Sequence, residues 1–262
     1  GLKGSLTSII AACTYQKSNK SLIIVRSDKE EAAYFYNDLQ KLLSKEDVYF
    51  FPDSYRRPYS DQEQVNNINI GLRAEALERL LIAEKPCIII TYPEALAEKV
   101  ITKQSLKSKT LNINVKDHID LDFLNENLFE LGFERVDFVE LPGQFSVRGG
   151  IVDVFSFSQQ NPSRIEFIGN EVESLRSFSV DDQLSLNNLF SISLVSNIED
   201  KYQKEIRQSL IAYSKNIASL WIQDPEITEE KIEACFEHSN KIYQDLNSTI
   251  ERNEPSRLYL TR

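Results

Sequence analysis

The sequence predicts an α/β protein, a parallel-sheet lobe joined to a smaller antiparallel α+β region. Three observations carry this prediction. Over the first hundred residues, short apolar runs alternate with amphipathic helical stretches. From about residue 110, polar and apolar residues alternate in runs separated by Pro, Gly and Asn turns. From about residue 196, helical periodicity returns. Strand–helix alternation implies a parallel sheet with helices on its faces, whereas closely spaced alternating runs imply an antiparallel meander.

The elements follow in order. Leu22-Ile23-Ile24-Val25 has the unbroken apolar character of a strand buried on both faces. Ser27 and Glu30 have capping-box spacing, opening a helix to about Ser44 with Ala33, Tyr36, Leu39 and Leu43 on one face. Val48 to Phe51 is a second strand, stopped by Pro52. A helix over about 69–84 carries Ile70, Ala74, Leu77 and Leu81 on one stripe, with Glu75 and Arg79 spaced for an ion pair. Cys87 to Ile90 is a third strand, and Pro93 starts another helix. Leu111, Ile113 and Val115 alternate as a half-buried strand, and a short helix over 121–131 ends at Gly132. Strands are then predicted at 136–139, 145–148, 151–155, 164–168 and 172–180, with turns at Pro142-Gly143, Gly149-Gly150, Asn161-Pro162 and Gly169-Asn170. Ser196 and Glu199 have capping-box spacing for a helix to about Ala218. Leu220-Trp221-Ile222 is a strand, Asp224-Pro225 caps a helix to about Asn247, and Leu258-Tyr259-Leu260 reads as a last strand.

Composition narrows the function. The 262 residues suffice for two domains, and with 41% hydrophobic and 27% charged residues the chain reads as soluble. No apolar run nears the roughly 20 residues that span a bilayer, and no signal peptide is expected from the first residues. Cys13, Cys87 and Cys235 are scattered and odd in number, which fits reduced thiols in a cytoplasm. With His118 and His238 they form no metal-ligand spacing, so no metal site is expected. Cys13 and Cys87 lie on apolar faces and read as core thiols. Met is absent even from position 1, so a piece of a longer protein is expected. The net charge of −10 sits wholly in residues 111–199, which hold five basic and fifteen acidic residues. Such a surface repels phosphate backbones and favours a protein partner over DNA.

Gly1, Gly4, Ser5, Leu6, Thr7 and Ser8 precede a helix and follow the phosphate-binding pattern G-x-x-G-x-G-K-[ST] except at two places. Leu6 stands where the last Gly belongs, and Thr7 stands where the Lys belongs. Such a loop needs small residues for backbone approach and a cation for the phosphates. A relic of this kind predicts no nucleotide binding. A plain helix start with small residues explains the same letters.

Four segments carry a resemblance to the transcription-repair coupling factor (Mfd) family and its relative, the UvrB helicase. The first is this loop. The second is Phe51-Pro52-Asp53-Ser54-Tyr55-Arg56-Arg57-Pro58-Tyr59. The third is Arg73 and Leu77, with Ile88-Ile89-Ile90-Thr91. The fourth runs from Gly132-Phe133 and Val136 through Pro142-Gly143-Gln144-Phe145-Ser146-Val147-Arg148-Gly149-Gly150-Ile151-Val152-Asp153-Val154-Phe155 into Arg164-Ile165-Glu166-Phe167 and Glu171 to Arg176. The resemblance implies the N-terminal UvrB-like module of a coupling factor. Residues 1–110 and 200–262 would form a degenerate RecA-like, P-loop helicase-type lobe, and 111–199 an inserted domain that binds UvrA. It implies no catalytic residue and no cofactor here, with ATP and Mg belonging to a motor elsewhere in the longer chain. That motor and RNA polymerase are the other implied partners. The family's two partner-binding arginines fall on Arg148 and Arg164. Its aromatic contact falls on Ile168, a departure from the pattern.

The arginines also invite readings from the residues alone. Flanking a tight connection, they can gather at one end of a sheet, and Arg is enriched among interface hot spots. Alternatively, each pairs with a neighbour such as Asp153 or Glu166. Two other functions stay open: an active UvrB-type helicase, and a purely structural domain packed on the motor. Tyr55, Arg56, Arg57 and Tyr59 mix aromatic and basic residues as single-strand binders do, but lack flanking positive charge.

Overall fold

The computed structural model describes residues 4–18, 20–54, 59, 67–82, 85–198, 206–214, 218–245 and 253–261. It has an α/β fold whose chain divides into two compact units, residues 1–103 with 201–262, and residues 104–200. The first begins with α1 (Leu6–Lys17), β1 (Ser21–Val25) and α2 (Lys29–Leu42). β2 (Val48–Phe50), α3 (Asn67–Ile82), β3 (Ile88–Thr91), α4 (Pro93–Ala97) and β4 (Val100–Ile101) follow. β1 and β3 are buried along their whole length, as their unbroken apolar runs require. Arg73 of α3, fully buried, donates to the Pro52 carbonyl at 2.8 Å, pairs with Glu98 at 3.1 Å and stacks on Phe51. Glu98 also accepts from the Ser54 backbone N–H at 3.0 Å and from its hydroxyl at 3.1 Å. The quoted Phe51 to Ser54 and Arg73 motifs thus meet in one buried network that ties the end of β2 to α3.

The second unit opens with α5 (Lys103–Ser108). β5 (Thr110–Asn114) and α6 (Leu121–Glu130) lead into β6 (Glu134–Arg135), β7 (Gln144–Arg148), β8 (Ile151–Val154), β9 (Ser163–Ile168), β10 (Glu171–Phe178), β11 (Ser185–Leu189) and β12 (Ser191–Val195). Six strands make one sheet in the order β11-β10-β9-β8-β7-β6, antiparallel except for β6 on β7. β12 pairs separately with β5. One face of the large sheet carries Phe145, Val152, Val154, Ile165, Phe167 and Leu175, all buried, and α6 covers it through Phe129 edge-on to Phe145. At about 25 cal/mol per Å² of apolar surface removed from water, burial of this layer stabilises the unit.

After the insertion the first unit resumes with β13 (Arg207–Gln208), α7 (Leu210–Tyr213), β14 (Ala218–Ile222), α8 (Pro225–Gln244) and α9 (Pro255–Leu258). Its four-stranded parallel sheet has the order β14-β1-β3-β2, so the returning chain adds the strand beside β1. β13 pairs with β4.

Several local expectations are corrected. The cap of α2 is Asp28, whose carboxylate accepts from the Glu31 N–H at 2.8 Å, one residue beyond the expected Ser27 and Glu30. The buried stripe of α2 shifts with it to Ala32, Phe35 and Leu39. Arg79 turns to the Pro86 carbonyl at 3.4 Å instead of pairing with Glu75. Residues 136–139 are a loop, because β6 ends at Arg135. A helix was expected from Ser196 to Ala218; part of that span lies outside the described residues, and among the described ones 207–208 are a strand and 210–213 are helical. Tyr259 makes a single bridge to Glu98 after the turn of α9, where a strand was expected. Cys13 is exposed, whereas Cys87 is buried as expected.

Candidate functional site

The face of the large sheet opposite α6 carries the polar residues of the alternating strands. Register puts Ser146, Asp153, Arg164 and Arg176 in one row across β7 to β10, and Arg148, Ile151, Glu166 and Ser174 in the next. Ile168 lies beyond them on β9 and is 69% exposed. The face therefore gathers all three predicted partner-binding positions.

Both arginines converge on one carboxylate. Asp153 is 1% exposed and opposite Arg164 in the ladder. Arg164 donates to it through Nε at 2.6 Å and Nη2 at 2.9 Å, a bidentate pair. Its guanidinium stacks on the buried Phe178 ring at 4.6 Å. The bonds to Asp153 raise its pKa above the ordinary value, against the opposing effect of burial. Arg148 donates through Nη2 to Asp153 Oδ2, the oxygen that also accepts from Arg164 Nη2, and lies 5.3 Å from the Phe138 ring centroid. Its side chain is 41% exposed, against 17% for Arg164. The reading in which the arginines pair with a neighbour is thus realised at Asp153 for both. Glu166 is bonded to Arg176 and to the Ser174 hydroxyl at 2.7 Å.

Beside this polar patch, Val139, Phe155 and Phe178 form a small buried cluster, with Val136 and Val180 packed on it. The 136–141 loop supplies Val139 to the cluster and leaves Phe138 61% exposed. Gly143 holds that loop: its N–H donates to Phe155 at 2.7 Å, and its carbonyl accepts from Glu134 at 2.8 Å. Sequence reasoning placed Phe138 only within the expected strand at 136–139 and gave it no role. Asp153 entered that reasoning only as a neighbour. Its signal is a lone charge inside the run Ile151 to Phe155.

The loop before α1 is a separate matter. Gly1 lies outside the described residues. Gly4 has φ +61°, Ser5 precedes α1 without a side-chain cap, and Leu6 is exposed. Thr7 sits in the first turn, and the buried Ser8 hydroxyl donates to Asp38 at 3.3 Å. Residues 4–8 contain no cation. The Tyr55-Arg56-Arg57 run also lies outside the described residues, and Tyr59 donates to the Asn253 carbonyl at 2.8 Å. No described helix is long and apolar enough to cross a membrane. Among the described residues, no group of three His, Cys, Asp or Glu side chains could hold a metal ion.

Residues 111–199, which make up nearly all of the second unit, match the family model described as the UvrB interaction domain. The unit with the arginine-bearing face is therefore a domain of the UvrB interaction class. Similarity extends beyond it. Over 196 residues the chain is 33% identical to a transcription-repair-coupling factor of Bacillus subtilis, an alignment covering 74% of this chain and 16% of that protein. Coupling factors of Haemophilus influenzae and Staphylococcus haemolyticus are each 28% identical, over 71% and 75% of this chain and 16% of theirs. The chain belongs to the transcription-repair-coupling factor family, as a UvrB-like module. It spans about one sixth of the length of the relatives it matches.

Proposed function

We propose that this chain is a docking module without catalytic activity of its own, recruiting UvrA for transcription-coupled nucleotide excision repair. Residues 111–199 are the UvrA-binding domain in this reading, and Arg148, Arg164 and Ile168 are its contacts. Residues 1–110 and 200–262 form the lobe that carries it. The carrying observation is the sheet face on which two arginines and an exposed apolar side chain lie together in an otherwise acidic segment. Arginines fixed in place and flanked by apolar surface are what interface hot spots are made of.

Absence of nucleotide binding is part of the proposal. Its support is the neutral Thr7 at the expected lysine position and the Ser8 hydroxyl turned to Asp38. ATP and Mg then belong to a translocase motor elsewhere in the longer protein. The lobe packs on and restrains that motor, with RNA polymerase a further partner of the whole. The acidic segment makes direct DNA binding weak, and the reading places the chain in the cytoplasm.

Titration of UvrA by calorimetry tests the docking role. The wild-type chain binds, and the Arg148→Glu/Arg164→Glu double variant loses about 2–4 kcal/mol. Unchanged binding by a folded double variant rejects the assignment. Magnesium-dependent ATP capture or hydrolysis by the chain would favour a UvrB-type helicase instead.

A further inference from the structure

We propose that Asp153 is the positioning residue of the docking face, holding Arg148 and Arg164 so that together they receive one acidic side chain of the partner. This rests on the reading of that face as the UvrA-docking surface, and goes beyond it by naming what orients the arginines and what chemistry they meet.

Charge within the face is the first argument. One carboxylate, Asp153, serves two guanidiniums. Another carboxylate of the face, Glu166, is already bonded to Arg176 and Ser174. The Arg148–Asp153–Arg164 cluster therefore carries one uncompensated positive charge, while the neighbouring pair is balanced. The segment around it is strongly acidic, so long-range attraction does not guide an acidic partner here. Within one Debye length, about 8 Å at physiological salt, the local excess charge prevails. Recognition is then short-ranged and depends on accurate placement of the donors.

Geometry supplies that placement. An exposed arginine has many rotamers and loses them on binding. Arg164 has lost them already, through its bidentate bond to Asp153 and its stack on Phe178. Arg148 is held at one nitrogen by Asp153 and lies near the ring of Phe138, while much of its side chain stays exposed. The carboxylate that fixes both is itself buried and reached from opposite neighbouring strands. A buried, oriented anion beneath partly exposed donors is the arrangement that preorganises a binding site. Ile151 and Ile168 provide apolar surface near the charge, so an acid flanked by apolar residues fits best.

The test measures UvrA binding by the whole chain in four forms: wild type, Asp153→Asn, Arg148→Gln/Arg164→Gln, and the triple variant. Asp153→Asn keeps the shape and an acceptor oxygen. It should fold cooperatively yet bind UvrA about tenfold more weakly, although the loss of a negative charge alone would strengthen an acidic contact. The triple variant should bind no worse than the double, because Asp153 acts only through the arginines. Full additivity in the triple variant, or wild-type affinity in folded Asp153→Asn, overturns the proposal. If Asp153→Asn does not fold, Asp153→Glu takes its place under the same criteria.

Nitrogen-15 NMR of the arginine side chains gives a readout independent of UvrA. The Arg164 Nε–H signal should be protected from exchange in the wild type and lose that protection in the Asp153 variant. Equal protection in both rejects positioning even if the wild type fails to bind UvrA, a failure that would instead reject the docking reading. Finally, Arg148→Glu should lose UvrA binding and regain it with an Asp→Arg or Glu→Arg change in UvrA. Failure of every acidic position of UvrA to restore binding overturns the acidic-partner assignment.

Discussion

Gly143 shows how a single residue fixes the face. Its φ is +89°, and a Cβ there would lie 2.3 Å from the Phe157 ring. That ring is buried and packs on Phe133, so it has little room to yield. Gly143→Ala should cost at least about 2 kcal/mol in urea unfolding, from backbone strain and overpacking together. Asp153→Ala acts through charge instead. It leaves Arg164 largely buried without its carboxylate, and the 3–5 kcal/mol typical of a broken buried pair shrinks to about 2–3 because Arg148 rehydrates. Chemical denaturation checks both values, and a change below about 1 kcal/mol for Asp153→Ala would show that the ion pairs are solvent-screened. The family resemblance pointed to Arg148 and Arg164, and strand alternation beside a tight turn fits two such side chains on one face. Neither revealed their shared use of Asp153, since that depends on cross-strand register, which one strand's pattern does not specify. Cys13 was misplaced because the packed face of α1 carries Ser8, Ala11 and Ala12, and Cys13 lies off it.

Helices and strands were legible where their signals were strong. β1, β3, α3, α6 and α8 all appear within a few residues of where periodicity put them, and Asp224 caps α8 by accepting from Ile227 at 3.1 Å. Asp224→Ala should therefore cost about 1 kcal/mol, measurable as a lower urea midpoint. β11 escaped notice because Ser185, Asn187 and Asn188 give an exposed edge strand little apolar pattern. The expected 197–218 helix overextended a capping signal past Ser209, which caps its own short turn by accepting from Ala212. On α3, burial and then the nearby Glu78 raise the Glu75 pKa to about 7 from an ordinary 4.5. A carboxyl raised on folding favours the folded state while protonated, so this contribution is complete below about pH 4.5 and lost as pH rises through about 7. Glu75→Gln should flatten that part of the stability–pH curve. Urea midpoints at pH 5 and pH 8 decide the matter: an equal wild-type and variant change between them would mean Glu75 ionises normally.

The whole molecule is shaped by where the chain leaves and re-enters the first unit. β1 is buried along its length and sits between β3 and β14, and β14 comes from beyond the inserted unit. Without residues 201–262, one edge of β1 loses its backbone partners, and unpaired buried N–H and C=O groups are costly. The second unit, in contrast, closes its large sheet and the β5–β12 pair from residues 110–195 alone. Its core side chains, among them Ile113, Phe145, Ile165 and Leu194, likewise belong to that span. Two truncations should then behave oppositely. Residues 104–200 should fold alone, with a cooperative urea transition and dispersed amide NMR signals. Residues 1–200 should aggregate or lose the parallel sheet while the second unit stays folded. Hydrogen exchange separates the cases, because in 1–200 the β1 amides should exchange freely and those of β8 and β9 should stay protected. Protected β1 amides in that truncation would mean the first sheet does not depend on its returning strand.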